Sequence, residues 1–165
     1  MNLILVRHTE AAKLGEEGAT TDADRPLTEL GRTHAAKLGQ LFAERGIVPG
    51  AVVTSGLVRA NQTAEPLLQL LAGETKEVVV CGHLAPDQYR PKKLTRFVLG
   101  LDQQSVALVG HNPDLSAYLA WLVGSENSAF DLAKGAAVFV EFDGEPEKGD
   151  GRLRWLLTPE WYALL

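Results

Sequence analysis

The chain is poor in several things that would otherwise direct its reading. It holds one cysteine, Cys81, among 165 residues. No disulfide can form within it, and a thiol cluster for metal or redox work is excluded. It has no apolar stretch long enough to span a bilayer, and the run Leu3 to Val6 at its start is followed by charge rather than by small residues. Neither a membrane anchor nor a signal peptide is expected, and with the single cysteine this points to the cytoplasm. An excess of positive charge is also missing. Sixteen Lys and Arg against twenty-one Asp and Glu give a net charge of −5. A general nucleic-acid surface is therefore not expected, and any anion site has to be local. No internal repeat, low-complexity tract or linker interrupts the chain. With 45% hydrophobic and 22% charged residues it has the balance of one globular domain spanning residues 1–165.

What is present alternates between strand and helix. Leu3 to Val6 reads as a buried parallel strand, and Lys13 to Arg25 as a loop. Thr28, Glu29, Gly31 and Arg32 lead into a helix running to Arg45. Its apolar positions Ala35, Leu38, Leu41 and Phe42 recur at three and four, and Gly46 stops it. Ala51 to Thr54 is a second strand. A second helix follows with Leu57, Ala60, Ala64, Leu67, Leu68 and Leu71 on one face, Pro66 placed to kink it and Gly73 after it. Glu77 to Cys81 is β-branched and predicts a third strand, Gly82 to Pro91 an exposed loop, and Lys93 to Leu99 a weak helix. Ser105 to Val109 is a fourth strand, which turns through Gly110, His111, Asn112 and Pro113 into a helix from Asp114 to Val123. Ala136 to Phe142 and Arg152 to Leu157 form a hairpin. The expected fold is a three-layer α/β/α domain with a mostly parallel, doubly wound sheet and an antiparallel C-terminal edge.

In such a sheet, ligands bind beyond the carboxyl ends of the strands. Three polar clusters fall there. Strand one ends in Arg7, His8, Thr9 and Glu10, strand two leads through Thr54 and Ser55 to Arg59, and strand four ends in Gly110, His111 and Asn112. Two guanidinium forks can pair with phosphate oxygens and nearly neutralise a dianion. A neutral imidazole attacks phosphorus, while a second, protonated one can hydrogen-bond the equatorial oxygens, with no metal or cofactor required. Each cluster alone has an ordinary reading: Arg7 and His8 as a strand exit, Arg59 on a solvated helix face, His111 as a turn residue. Their order on three strand ends carries the specificity. The remaining histidines, His34 in a helix and His83 in a loop, are not paired at metal-binding spacing, and Trp121, Trp155 and Trp161 read as packing.

The segments Leu5-Val6-Arg7-His8-Thr9-Glu10, Ser55 through Arg59 to Ala64, and Val109-Gly110-His111-Asn112-Pro113 resemble the three signatures of the histidine phosphatase (phosphoglycerate mutase-like) superfamily. The short length, the Gly-His-Asn-Pro turn and the Lys134-Gly135 step before the hairpin are most similar to its SixA group of phosphohistidine phosphatases. The resemblance implies His8 as the phosphorylated nucleophile and Arg7, Arg59 and His111 as the rest of the pocket, with Asn112 as an added donor. It also implies an acid that protonates an ester's leaving oxygen, and here the glutamate motif is absent. Asp87 stands at the corresponding place, beside Pro86, where an ordinary turn residue is also expected. A missing acid favours a phosphoramidate over an ester. The expected partner is thus a phosphorylated protein carrying phosphohistidine, the alternatives being a small phosphorylated metabolite or binding without turnover. The oligomeric state is not set by the sequence.

Overall fold

The structure, a computed structural model, describes residues 1–71, 77–125 and 129–163. Its frame is one six-stranded sheet in the order β3-β2-β4-β1-β5-β6. The strands are β1 (Asn2–Arg7), β2 (Ala51–Thr54), β3 (Val79–Val80), β4 (Ser105–Gly110), β5 (Ala137–Glu141) and β6 (Arg152–Leu157). From β3 to β1 all pairings are parallel, while β5 and β6 run antiparallel. The expected architecture is the one observed.

Period-two alternation along β1 explains the layers. Leu3 and Leu5 face a core shared with α3 (Pro91–Leu99) and α4 (Asp114–Leu122). Ile4 and Val6 face the opposite core, built with α1 (Glu29–Glu44), α2 (Val58–Leu68) and Tyr162 of the short α5 (Pro159–Tyr162). All four β1 side chains are fully buried. Central parallel strands covered on both faces read as continuous apolar runs, as here.

Element boundaries differ from the sequence reading in instructive ways. Helix α2 ends at Leu68, and Leu70 and Leu71 then close tighter turns onto the carbonyls of Leu67 and Leu68. The apolar face thus continues past the end of the helix. Pro66 lies inside α2, where it packs on α1 at Gly39, and the Gly73 stop lies outside the described residues. Strand β3 has two residues rather than five, because β-branched composition sets an extended backbone whereas a ladder needs partners. Only Val53 and Thr54 pair with it, and Cys81 N–H adds one bond to the Thr54 carbonyl. Helix α3 starts two residues early, with Pro91 in its first turn, where a missing N–H costs nothing. In the expected loop after β3, Gly82–Leu84 forms a 3-10 turn that buries Leu84.

Helix α1 begins where it was expected, and the reason bears on the site. Thr28 Oγ1 accepts the Gly31 N–H at 3.0 Å and donates to Glu10 Oε1 at 3.1 Å, while Thr28 N–H bonds the Glu10 carbonyl. The helix start is pinned to the segment that follows His8. A Cβ at Gly31 would stand 2.0 Å from the Glu10 carbonyl oxygen, so only glycine permits that approach. We expect Gly31→Ala to lower unfolding stability in urea by about 1–3 kcal/mol, as overpacking does. Gly144→Ala, where a Cβ would meet nothing within 4 Å, is the control and should leave the midpoint nearly unchanged.

Candidate active site

Parallel register brings the three clusters together. Arg7 stands opposite Gly110, and His8 N–H continues the ladder to the Gly110 carbonyl at 3.0 Å, so His8 and His111 leave neighbouring strands side by side. Their ring centroids are 4.9 Å apart. Thr54 pairs with Val109, placing Ser55 beside the same turn. Ser55 Oγ lies 2.7 Å from His111 Nε2. Arg59, in the first turn of α2, is not on a solvated face: it is 4% exposed and reaches inward.

His8 is held by a chain of bonds. Its Nδ1 lies 2.7 Å from the Thr9 carbonyl, which can only accept, so Nδ1 carries the proton and Nε2 is left with its lone pair. Thr9 N–H bonds Thr63 Oγ1, which donates to the Arg59 carbonyl at 2.7 Å. On the other side Gly135 N–H is shared between the Arg7 and His8 carbonyls, and Tyr162 donates to the Gly135 carbonyl. Gly135 has φ +82, and a Cβ there would sit 2.9 Å from the Tyr162 hydroxyl. The Lys134-Gly135 step therefore fixes the His8 backbone. Thr63, Gly135 and Tyr162 support the His8 backbone; Thr63 lies inside the second signature and Gly135 in the Lys134-Gly135 step, whereas Tyr162 carried no sequence signal.

Both arginines spend part of their donor set on the protein. Arg7 Nη1 bonds the Leu132 carbonyl at 2.6 Å. Arg59 Nη1 bonds the Asp22 carbonyl at 2.6 Å and its Nη2 bonds Asp22 Oδ2 at 2.9 Å. What remains is notable: Arg7 Nε, Arg59 Nε and His111 Nδ1 are buried side-chain atoms without a hydrogen-bond partner. A buried donor left open costs about 1–3 kcal/mol, and native structures rarely carry such a group without a functional or strain account. Arg7, Arg59 and His111 thus each keep one buried nitrogen without a protein partner.

The electrostatics follow from burial. Desolvation, aided by His111, Arg59 and Arg7, pushes His8 down to about 3 against the Thr9 bond that favours its protonation. Desolvation and Arg59, then Arg7, push His111 down to about 4, although Asp22 opposes this. Both imidazoles are therefore neutral at pH 7, beside two guanidiniums that already supply positive charge. Asp22 is held below the usual carboxylate range by hydrogen bonds from Arg25 and Arg59.

Two sequence candidates are placed differently from the rest. Asn112 Nδ2 bonds the Leu132 carbonyl and its Oδ1 accepts from Ser116 Oγ, so its amide ties down the segment that also holds Arg7. Asp87 is exposed in a turn at φ +63, with its N–H directed at the Asp114 carboxyl. Among the described residues, the carboxylate hydrogen-bonded to a pocket side chain belongs to Asp22. The mixed Gly, Thr and Asp loop around it gave no signal. Among the same residues no group of three His, Cys, Asp or Glu is arranged to hold a metal ion.

A sequence profile of the histidine phosphatase superfamily (branch 1) matches residues 3–84. The chain is 40% identical over 83 residues to the mitochondrial serine/threonine-protein phosphatase Pgam5 of Drosophila ananassae, covering 50% of this chain and 27% of that protein. An uncharacterized protein of Picosynechococcus sp. is 30% identical over 170 residues, 98% of each chain. The structure of the protein histidine phosphatase SixA complexed with tungstate superposes with a TM-score of 0.81 over 96% of this chain and 97% of that one, at 24% identity. On its signatures, its fold and these relatives, the chain belongs to the histidine phosphatase superfamily.

Proposed function

We propose that the chain is a phosphatase working through a phosphohistidine on His8. The observation that carries this reading is the set of three open buried nitrogens, Arg7 Nε, Arg59 Nε and His111 Nδ1, around a neutral imidazole whose free nitrogen is Nε2. Three phosphoryl oxygens accept from the two guanidiniums and His111. His8 Nε2 attacks phosphorus, forming the P–N bond as the bond to the leaving group breaks. Water then attacks the phosphohistidine, freeing His8 and releasing inorganic phosphate. No step calls on a metal.

We further propose phosphohistidine of a protein as the preferred substrate. An alkoxide leaves poorly without a proton donor, and the carboxylate touching this pocket, Asp22, is held in its ionised form by two arginines. A phosphoramidate nitrogen leaves more readily, and the fold is that of a protein histidine phosphatase. The second reading, hydrolysis of a phosphate ester, is favoured by the likeness to a serine/threonine-protein phosphatase over half the chain. Under it, Asp87 is the proton donor.

Phosphate release in chelator separates these readings. Wild type should strip a phosphohistidine protein much faster than p-nitrophenyl phosphate. His8→Ala should abolish both, and Arg59→Ala should lower kcat/KM by about 10²–10³-fold. Preference for the ester with a large loss on Asp87→Asn would move the assignment to esters, and no turnover of any substrate would leave a binding module.

Protonation supplies a separate check. Because both pocket histidines are pushed down from about 6.5, to about 3 and about 4, they should stay neutral from pH 7.5 to pH 5 in an NMR titration of the ligand-free protein. Between about pH 6.5 and 4 the unfolded chain binds protons that the folded one refuses, so stability should fall as pH drops through that window. Midpoints above 6 for His8 and His111 would contradict the electrostatic account.

A further inference from the structure

We propose that Ser55 is a positioning residue that fixes the tautomer of His111, donating its hydroxyl proton to Nε2 so that Nδ1 carries hydrogen toward the phosphoryl seat. This rests on the phosphatase reading for the identity of the seat, but the hydrogen-bond argument stands on the geometry of Ser55 itself. Ser55 Oγ and His111 Nε2 are 2.7 Å apart, and both side chains are buried, at 6% and 4% exposure. A bond of that length between a hydroxyl and an imidazole has two forms, since either atom can donate. Its direction decides what the other ring nitrogen offers.

Two observations select the direction. Ser55 Oγ already accepts the Leu57 N–H, a long bond of 3.4 Å, which leaves its own proton as the group to place. His111 Nε2 is the acceptor that the structure sets beside that proton. His111 Nδ1, the other ring nitrogen, is buried and has no hydrogen-bond partner. With hydrogen on Nδ1, it is a donor waiting for a phosphoryl oxygen. With hydrogen on Nε2, Nδ1 would offer a bare lone pair, which repels a phosphoryl oxygen. Protonating the ring would put hydrogen on both nitrogens and force Ser55 to turn and accept. Ser55 thus gives the pocket a neutral donor.

The Ser55 turn is built to hold this bond. Thr54 Oγ1 donates to Asn61 Oδ1 at 2.7 Å and accepts the Gly56 N–H, while Asn61 Nδ2 returns to the Gly56 carbonyl. The residues on either side of Ser55 are thereby anchored to α2. Ser55 stands within the second signature but was assigned no role from sequence, because a serine at a strand end most often caps or turns.

The test reads the tautomer directly. In the ¹⁵N-labelled, ligand-free wild type, long-range ¹H–¹⁵N correlation should show His111 protonated on Nδ1, the signal being identified by its loss in His111→Asn. Ser55→Ala should give a mixture of tautomers and a kcat/KM on phosphohistidine lower by about tenfold to a hundredfold, and Ser55→Thr, which keeps the hydroxyl, should restore both. A wild-type His111 protonated on Nε2 overturns the proposal. So does a Ser55→Ala variant with His111 still protonated on Nδ1 and unchanged turnover. If no phosphorylated compound is turned over while His111 carries its proton on Nδ1, the tautomer assignment stands and the phosphatase reading fails.

Discussion

The parallel hydrogen-bond ladder through β2, β4 and β1 is the constraint on which everything else rests. A parallel ladder sets its strands in one direction and puts their carboxyl ends on one edge. Here the register goes further, setting Arg7 opposite Gly110 and Thr54 opposite Val109. A slip of one residue along β1 would turn Leu3 and Leu5 to the wrong face and carry His8 away from His111. It would also draw Asn2 or Arg7 into a fully buried place among Leu3 to Val6, which forbids the slip. Core packing thus fixes, at a distance, the spacing of the His8 and His111 imidazoles.

Given that edge, the site is a matter of where charge and hydrogen are stored. Arg59 is almost fully buried and would be costly as a lone cation, so Asp22 answers its outer nitrogens and Arg25 in turn steadies Asp22. The inner nitrogens stay open. The same burial, with the same cations, keeps His8 and His111 unprotonated, which is the state a nucleophile needs. Positive charge is therefore concentrated on guanidiniums that cannot lose it, and a lone pair on the Nε2 of a neutral imidazole whose one proton is held on Nδ1. The preorganised donors bear their desolvation cost before the ligand arrives, as a site that stabilises a spreading phosphoryl charge requires.

Much of this was legible in the sequence, and the reasons differ by element. Buried parallel strands announce themselves as short apolar runs, so β1, β2 and β4 were placed to within a residue, and with them Arg7, His8 and His111. Amphipathic spacing and a threonine cap located α1. Arg59 was nameable only because its helix follows a strand end bearing serine, since its burial is a tertiary property. Illegible were the contacts made by loops. Asp22 sits in a stretch without periodicity, and the bonds that tie the Asn112 amide to Leu132 and Ser116 leave no mark on the sequence. Asp87 was picked by its place in the chain, yet its turn directs its backbone toward Asp114. Loop side chains obey partners that only the folded chain brings near.

The central claim is that three open nitrogens around His8 seat a phosphoryl group, and a crystal structure with tungstate tests it most directly. The account predicts tungsten against His8 Nε2, with oxygens accepting from Arg7 Nε, Arg59 Nε and His111 Nδ1. Tungstate bound elsewhere, with those three nitrogens still open, would contradict it.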